Sequence, residues 1–351
     1  MPQIGESIDA PTLDKSVLVG LSGGVDSSVA AFLLKEAGAN VTGVTFDLNE
    51  NTRNIEEAQA VAQFLGIEHL VVDMRQRFEH AIIRPFIAGY SRASTPNPCI
   101  ECNLRMKWAG LLETADKHGI EMIATGHFAR IEKGLVHRGI DPDKDQSYFL
   151  YRIQREWLSR TVFPLGEFFK SDVKQLARQI GLPLSDRAES NDICFMKKGM
   201  LARFLSEAGV SDKPGEIVDV NGRTLGKHSG WASFTPGQRR GLGVASAEGR
   251  LYVVEIDPAE ARIVLGPREA LLKRTFEVEN TIFHERVQMG DSIDCDIQIR
   301  HLGEVIRGKV RRTDELAGEV SLERGIFAPA RGQSAVFYRE DAVIGGGYIL
   351  V

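Results

Sequence analysis

Through the first third of the chain, short apolar runs alternate with segments of helical period. Residues 17–19 read as a buried strand running into Gly20-Leu21-Ser22-Gly23-Gly24. Residues 27–37 are apolar nearly all round, as a buried helix is, and Gly38 stops them. Residues 41–46 predict a second strand, 55–65 a second helix and 68–72 a third strand. After an interruption, Met106, Ala109, Leu112 and Ala115 recur at helical spacing, and residues 122–124 supply a further strand. This alternation predicts an α/β fold with a parallel sheet and helices on both faces. Such sheets bind ligands outside the carboxyl ends of their strands.

Residues 148 to about 205 read as helical, with Ser171 the expected cap of a helix ending near Gly181. Beyond Glu216 the period shortens to two. Asn221-Gly222, between Ile217-Val218 and Thr224-Leu225, is a hairpin signal. Alternating strands follow at 251–256, 293–299, 305–310 and 334–338, which predicts small β domains after the α/β part. There is no internal repeat and no low-complexity segment.

Length and charge narrow the picture. A chain of 351 residues exceeds one typical domain, so two or three cores are expected. No apolar run approaches the roughly 18 residues of a membrane span, so no membrane partner is expected. Residues 1–14 lack an apolar signal core and read as a flexible arm. Four cysteines in a chain this long make no disulfide framework; reduced thiols and a cytoplasmic home are expected. With 43 basic and 48 acidic residues the net charge is -5, which argues against a nucleic-acid coat but leaves room for local phosphate contacts.

The first chemistry lies in Gly20-Leu21-Ser22-Gly23-Gly24-Val25-Asp26-Ser27-Ser28, between a buried strand and a helix start. Glycines let backbone amides approach phosphate oxygens, and a helix N-terminus adds partial positive charge. Ser22, Ser27 and Ser28 offer hydroxyl donors, and Asp26 could hold Mg²⁺ against the phosphates. No lysine follows in the Walker pattern. The plain structural reading is a tight strand–turn–helix with serine caps. The string Ser22-Gly23-Gly24-Val25-Asp26-Ser27 resembles the pyrophosphate loop (PP-loop) of the adenine-nucleotide α-hydrolase superfamily. That resemblance implies that ATP is split between its α and β phosphates to adenylate a carbonyl oxygen.

Within that superfamily the chain resembles the tRNA-specific 2-thiouridylases from about Ser16 onward. The resemblance rests on Thr95-Pro96-Asn97-Pro98 before Cys102-Asn103, residues 124–130 (ATGHFAR), residues 145–150 (DQSYFL) and Ile193-Cys194-Phe195. It also rests on residues 236–243 (PGQRRGLG) and Gly345-Gly346-Gly347. It implies ATP-dependent 2-thiolation of a wobble uridine in a tRNA anticodon loop, with sulfur from a donor protein or inorganic sulfide. It divides the chain into an arm (1–14), a catalytic PP-loop domain (15–205), a small β-rich domain (206–270) and a C-terminal β-barrel-like domain (271–351). Asp26 belongs to the catalytic set. Gly20, Leu21, Ser22, Gly23, Gly24, Val25, Ser27 and Ser28 would bind nucleotide, together with Phe46, Gly126 and His127. Phe46 could equally be core, and His127 a loop histidine bonded to its own backbone.

The resemblance further implies that Cys102 and Cys194 meet over the uridine. Cys194 would carry a persulfide, and Cys102 would release its sulfur and leave a disulfide to be reduced. Taken alone, Cys194 reads as readily as a small buried apolar residue. The chain departs from the family pattern at Cys99, where many members have Asp. A Cys-x-x-Cys with a third distant thiol can ligate three irons of a 4Fe-4S cluster, making Cys99, Cys102 and Cys194 candidate metal ligands. The spacing leans toward the cluster; a redox pair or a spectator Cys99 stays open. Cys295 has no ligand spacing around it and reads as structural.

By the same resemblance Asn97, Pro98 and Cys99 would lie near the target base. Lys144, Asp145, Gln146, Arg300, His301, Gly332 and Gln333 would touch tRNA. Residues 300–312 carry five basic side chains against Glu304 alone, which reads either as a phosphate-binding stripe or as a solvated face. The competing function is another PP-loop ATP-pyrophosphatase ligase acting on a small-molecule amide or carbonyl. Such a ligase would need neither Cys102 and Cys194 nor the β domains.

Overall fold

The computed structural model describes residues 14–49, 52–183, 193–197, 199–210, 213–232, 234–244 and 249–351. Of the arm predicted at 1–14, all but Asp14 lies outside them. The chain divides into two compact units. Unit 1 is Met1–Ile82, Cys99–Asn191 and Glu340–Ile344; unit 2 is Ile83–Pro98, Asp192–Arg339 and Gly345–Val351.

Unit 1 is built on β1 (Ser16–Gly20), β2 (Asn40–Asp47), β3 (Glu68–Asp73) and β4 (Met122–Ala124). The hairpin β5 (Ala129–Glu132) and β6 (Leu135–Arg138) follows, then β7 (Thr161–Val162). The sheet runs β3-β2-β1-β4-β7, and all its pairings are parallel. Strand β1 is central, and its Val17, Leu18 and Val19 are fully buried. Helix α1 (Val25–Glu36) buries Ser27 through Ala31 with Leu33 and Leu34, which accounts for its nearly all-round apolar sequence. Helix α2 (Arg53–Leu65) ends in Gly66 at φ 62°, a left-handed cap. Its Ala58, Val61, Ala62 and Leu65 join the same core.

Two expectations need correction here. Residues 148–205 are not helical throughout, because Thr161–Val162 forms the fifth strand of the sheet. Two residues are too few to display a period. Ser171 is not a cap either: the helix Lys170–Gln179 starts one residue earlier, with no capping bond from its N-cap residue. Its first amide, on Lys170, donates instead to the Asp141 carboxylate at 2.8 Å. The run containing Met106 is also not uniform. Asn103–Trp108 is π-helical and becomes an α-helix only at Ala109–Lys117. Single π turns inside helices concentrate at functional sites.

In unit 2, β8 (Gly215–Asp219), β9 (Thr224–His228), β10 (Tyr252–Asp257) and β11 (Arg262–Gly266) form a sheet ordered β10-β11-β8-β9. The β8–β9 hairpin turns at Asn221-Gly222, with Gly222 at φ 84°. Its core joins Ile217, Val253, Ile263 and Leu265 to Phe86, Tyr90 and Leu205. Six further strands are β12 (Leu272–Phe283), β13 (Ser292–Gln298), β14 (Val305–Asp314), β15 (Ala317–Phe327), β16 (Ser334–Arg339) and β17 (Ala342–Leu350). They run β12-β15-β14-β13-β16-β17, and β12 also pairs with β17, which closes a barrel and removes its edges. Among the described residues no helix is long and apolar enough to cross a membrane.

Candidate active site

The loop after β1 is shaped by its own hydroxyls. Ser22 N–H donates to Ser27 Oγ at 3.1 Å, while Ser27 Oγ and Ser28 Oγ donate to the Gly24 carbonyl at 3.0 and 2.9 Å. Leu21 N–H donates to Val44 of β2 at 2.8 Å, tying the loop's root to the sheet. Gly23 sits at φ 71°, where a Cβ would come within 2.8 Å of the Asn54 carbonyl, so neither its conformation nor its neighbour tolerates a side chain. Gly24 is the N-cap of α1 and no side chain caps the helix, which leaves its first-turn amides to an anion.

Two lysines absent from the sequence-based site enter here. The ammonium of Lys170, whose side chain is only 10% exposed, is ion-paired with Asp26 and lies 5.5 Å from the Phe128 ring centroid. The partners are 144 residues apart, so no local spacing could announce them. Lys107 Nζ lies 3.4 Å from His127 Nε2, and Thr125 Oγ1 lies 2.8 Å from Nδ1. The preceding residue, Gly126, is pressed against the loop, since a Cβ there would stand 2.7 Å from Ser27 N. Gly126 is thereby set against the loop after β1, and His127 follows it. Phe46 is half-buried at the end of β2, where its ring and Met74 crowd Gly110. A cavity of about 600 Å³ opens beside them, lined by residues 72–77, Gly110, Glu113 and Thr114 and by no residue of the phosphate loop.

His127 is buried, and desolvation first, then the nearby Lys107 charge, hold its pKa well below the ordinary 6.5. The folded protein therefore keeps His127 neutral at pH values where the unfolded chain protonates it. Stability contributed above pH 6.5 is lost as pH falls below that value. Urea melts at pH 7.5 and 5.0 should show a smaller acid loss for His127→Gln than for the parent. The difference is bounded by about 1.4 kcal/mol per pH unit. Equal losses would show that His127 does not titrate on unfolding.

Cys99 and Cys102 lie on the short helix Pro98–Cys102, which leads directly into the π-helical turn. Cys102 is buried and Cys99 half-buried. Next to them Asn103, 2% exposed, donates from Nδ2 to the Phe149 carbonyl at 3.1 Å, and its Oδ1 has no partner among the described residues. That buried acceptor was not recognised in the sequence. Cys194 is exposed and belongs to unit 2. Its neighbours Ile193 and Phe195 pack into the unit 2 core, with Phe195 5.3 Å from Phe86 and 5.7 Å from Phe204. Cys295 is fully buried, and desolvation pushes its thiol up to about 12, so it is protonated and inert.

The residues expected to meet RNA divide into three groups. In unit 2, Gln333 Nε2 donates to the Thr95 carbonyl at 2.7 Å, and Thr95 N–H donates to Arg331 at 2.8 Å. Gly332, at φ 83°, faces Ser94 closely. Gly332 and Gln333 thus hold the segment that leads to Asn97 and Pro98. In unit 1, Asp145 is 4% exposed and its carboxylate accepts from Arg138, from Gly139 N–H, and from the Ser147 amide and hydroxyl. Gln146 Oε1 accepts from Phe128 N–H at 3.0 Å, and Lys144 N–H donates to Asp141 at 3.1 Å. Asp145 and Gln146 therefore shape this loop.

The basic stripe at 300–312 is largely neutralised. Register sets Arg307 opposite Asp296, Lys309 opposite Asp294 and Arg311 opposite Glu319, with ion pairs at 3.6, 3.8 and 2.5 Å. Arg300 donates to the Ala328 carbonyl at 2.5 Å and stands over the Phe327 ring, and the half-buried His301 follows it.

Three family models match consecutive stretches: a tRNA methyl transferase HUP domain over 15–198, a tRNA methyl transferase PRC-barrel domain over 202–267 and an aminomethyltransferase beta-barrel domain over 273–349. The tRNA-specific 2-thiouridylase MnmA of Chloroflexus aurantiacus is 41% identical, covering 95% of this chain and 98% of its own length. The proteins of the same name from Zymomonas mobilis and Nitratiruptor are 38% and 36% identical, covering 97% and 96% of this chain and 95% and 100% of their own lengths. A glycine- and serine-rich loop after the central strand of a parallel sheet, Cys99 and Cys102 on the short helix Pro98–Cys102 and this end-to-end similarity agree: the chain belongs to the tRNA-specific 2-thiouridylase family.

Proposed function

We infer that the chain is an ATP-dependent tRNA 2-thiouridylase acting on the wobble uridine. The observation that supports it most is the pairing of an uncapped, glycine-bounded helix N-terminus with Asp26 and Lys170 in a chain similar over its whole length to 2-thiouridylases. First-turn amides and glycines would hold the triphosphate. Asp26 fits Mg²⁺, which is commonly bound by one or two carboxylates together with substrate phosphates. That ion would offset charge as pyrophosphate departs. Lys170 would keep Asp26 oriented and add positive charge at the phosphates.

In the proposed sequence the uridine O2 attacks the α-phosphorus, the α–β bridging bond breaks, and pyrophosphate leaves. The terminal sulfur of a Cys194 persulfide then attacks C2, and AMP departs with the former carbonyl oxygen. Cys102 thiolate next attacks the Cys194 sulfur, releasing 2-thiouridine and a Cys102–Cys194 disulfide. An external thiol reductant then restores both thiols, and the Cys194 thiolate takes the outer sulfur of a donor persulfide, leaving the donor as a thiol. Alternatively, sulfide attacks the disulfide at Cys194, forming the persulfide and freeing the Cys102 thiolate. Lowering the leaving-group barrier by adenylation and using a soft nucleophile is ordinary covalent catalysis.

The cluster reading rests on Cys99. The described donor set does not fit it: among the described residues, which include Cys99, Cys102 and Cys194, no group of three or more His, Cys, Asp or Glu side chains is placed to hold a metal. No step is therefore routed through a cluster. Protein purified anaerobically, with iron and acid-labile sulfide measured beside activity, decides between the two carriers.

The central test incubates the chain with ATP, Mg²⁺, a sulfide source and tRNA transcripts carrying U or C at the wobble position. Sulfur incorporation is read by retardation on a mercury-containing gel and by nucleoside mass spectrometry. Thiolation of the U transcript alone is expected. Pyrophosphate release stimulated by a small amide and not by tRNA would replace this reading with the small-molecule ligase.

A further inference from the structure

The motif at 236–243 supports the family resemblance, yet the chemistry above gives it no task. In unit 2 it forms a braced loop. Gly237 N–H donates to Val253 at 2.8 Å and Val253 N–H donates back to Gln238 at 2.9 Å. The Gln238 side chain accepts from Thr235 N–H at 3.1 Å and donates to the Arg240 carbonyl at 3.0 Å. Gly237, at φ 86°, leaves no room for a Cβ against Ala328. Leu242 is buried in the core beside it.

Beyond this brace the loop opens into a cavity of about 390 Å³ lined by Arg239, Gly241, Leu242, Gly243, Arg250 and Leu251, among others. Gly241 and Gly243 lie at φ 73° and 69°, and Leu242 between them is not left-handed. Left-handed residues alternating with one of ordinary φ are the backbone pattern from which anion-binding nests are built. The N–H groups of Gly241, Leu242 and Gly243 have no partner among the described residues. Arg239 and Arg250 are exposed, and neither has a carboxylate partner among the described residues. Arg307, Lys309 and Arg311 on the barrel, by contrast, are all neutralised.

We propose that this nest grips a backbone phosphate of the bound tRNA, with Arg239 and Arg250 as its forks. The cavity has room for a phosphate with its sugar. Guanidinium forks and unpaired amides together match phosphate geometry. The proposal deepens the tRNA reading above and rests on it. Holding RNA through a preformed loop would explain how a chain of net charge -5 retains a polyanion: the positive charge is local, and no carboxylate among the described residues is paired with it.

The test measures tRNA binding by the whole chain and by Arg239→Gln/Arg250→Gln across a salt series. Both side chains are exposed, so folding should survive, and a thermal melt checks that. The double variant is expected to bind about tenfold more weakly at moderate salt, and its log–log salt slope should shrink by about 0.7–0.9 per lost contact. Arg239→Lys/Arg250→Lys should recover most of the slope. Unchanged affinity and slope in the glutamine variant would overturn the proposal while leaving the enzyme reading intact. Unchanged tRNA binding with impaired transfer from a persulfide-donor protein would also overturn it, assigning the loop to an acidic protein surface. A parent chain that binds no tRNA would sink the functional reading itself.

Discussion

Cys194→Ala protein is expected to form no 2-thiouridine above background while binding ATP and tRNA like the parent, and Cys102→Ala should do the same. Neither change threatens the fold. Cys194 is exposed, and the packing at its position belongs to Ile193 and Phe195, which the substitution leaves alone. Cys102 lies on a helix, where alanine is the most favourable residue, and it loses only a sulfur at the buried surface. The chemistry is another matter. In the proposed sequence Cys194 carries the persulfide and Cys102 resolves the mixed disulfide on the uridine, so loss of either sulfur stops the transfer. Intact mass should show a one-sulfur adduct on the parent and on Cys102→Ala, but not on Cys194→Ala. Cys295→Ala is the internal control: its thiol is buried and protonated, so thiolation should stay within about twofold. Cys99→Ser separates the carriers. Full activity supports the persulfide, whereas a loss as large as that of Cys102→Ala returns the cluster to contention. Thiolation surviving in Cys194→Ala would remove the assigned role of that residue.

The parts of this site that were legible in the sequence share one property: their signal is local. Strands β1 to β4 are short apolar runs, and the loop after β1 keeps its glycines and serines within nine residues. The β8–β9 turn needed only Asn221-Gly222 to be recognised. What escaped was set by contacts between distant segments. Lys170 became a site residue by reaching Asp26, and Asp141 displaced Ser171 as the helix cap by reaching Lys170. The stripe at 300–312 shows the same limit. Sequence shows the charges of one strand, while pairing decides which acids stand opposite, and here Asp294, Asp296 and Glu319 fall in register. In 236–243 the reverse happened: two adjacent arginines looked like a family signature, and only the fold shows the one at 239 beside Arg250, with no acid among the described residues paired to either.

The same distinction between local signal and distant contact gives a sharp test at two glycines. Gly126→Ala should abolish measurable ATP binding, and with it thiolation, while Gly20→Ala stays within about threefold of the parent. The sequence puts both at the nucleotide, Gly20 within the glycine-rich string and Gly126 by the family resemblance, and does not rank their tolerance of a side chain. In the fold a Cβ on Gly20 would meet only Leu111 methyls at 3.7 and 3.8 Å and the Ala124 carbonyl at 3.9 Å, which is ordinary contact. A Cβ on Gly126 would stand 2.7 Å from both Asp26 C and Ser27 N and 2.9 Å from Ser27 Cα. Those are backbone atoms of the first turn of α1, so no rotamer can move them aside. Either the 124–127 segment or the helix start must retreat, and both carry the proposed site. Displacements near 1 Å at positioned groups cost about a hundredfold in rate. Here the shift would fall on the amides and on Asp26 together. Calorimetric titration with ATP, beside a thermal melt that shows both variants folded, makes the comparison. Equal ATP affinity in the two variants would mean that the close approach of Gly126 to α1 does not set the geometry of the phosphate site.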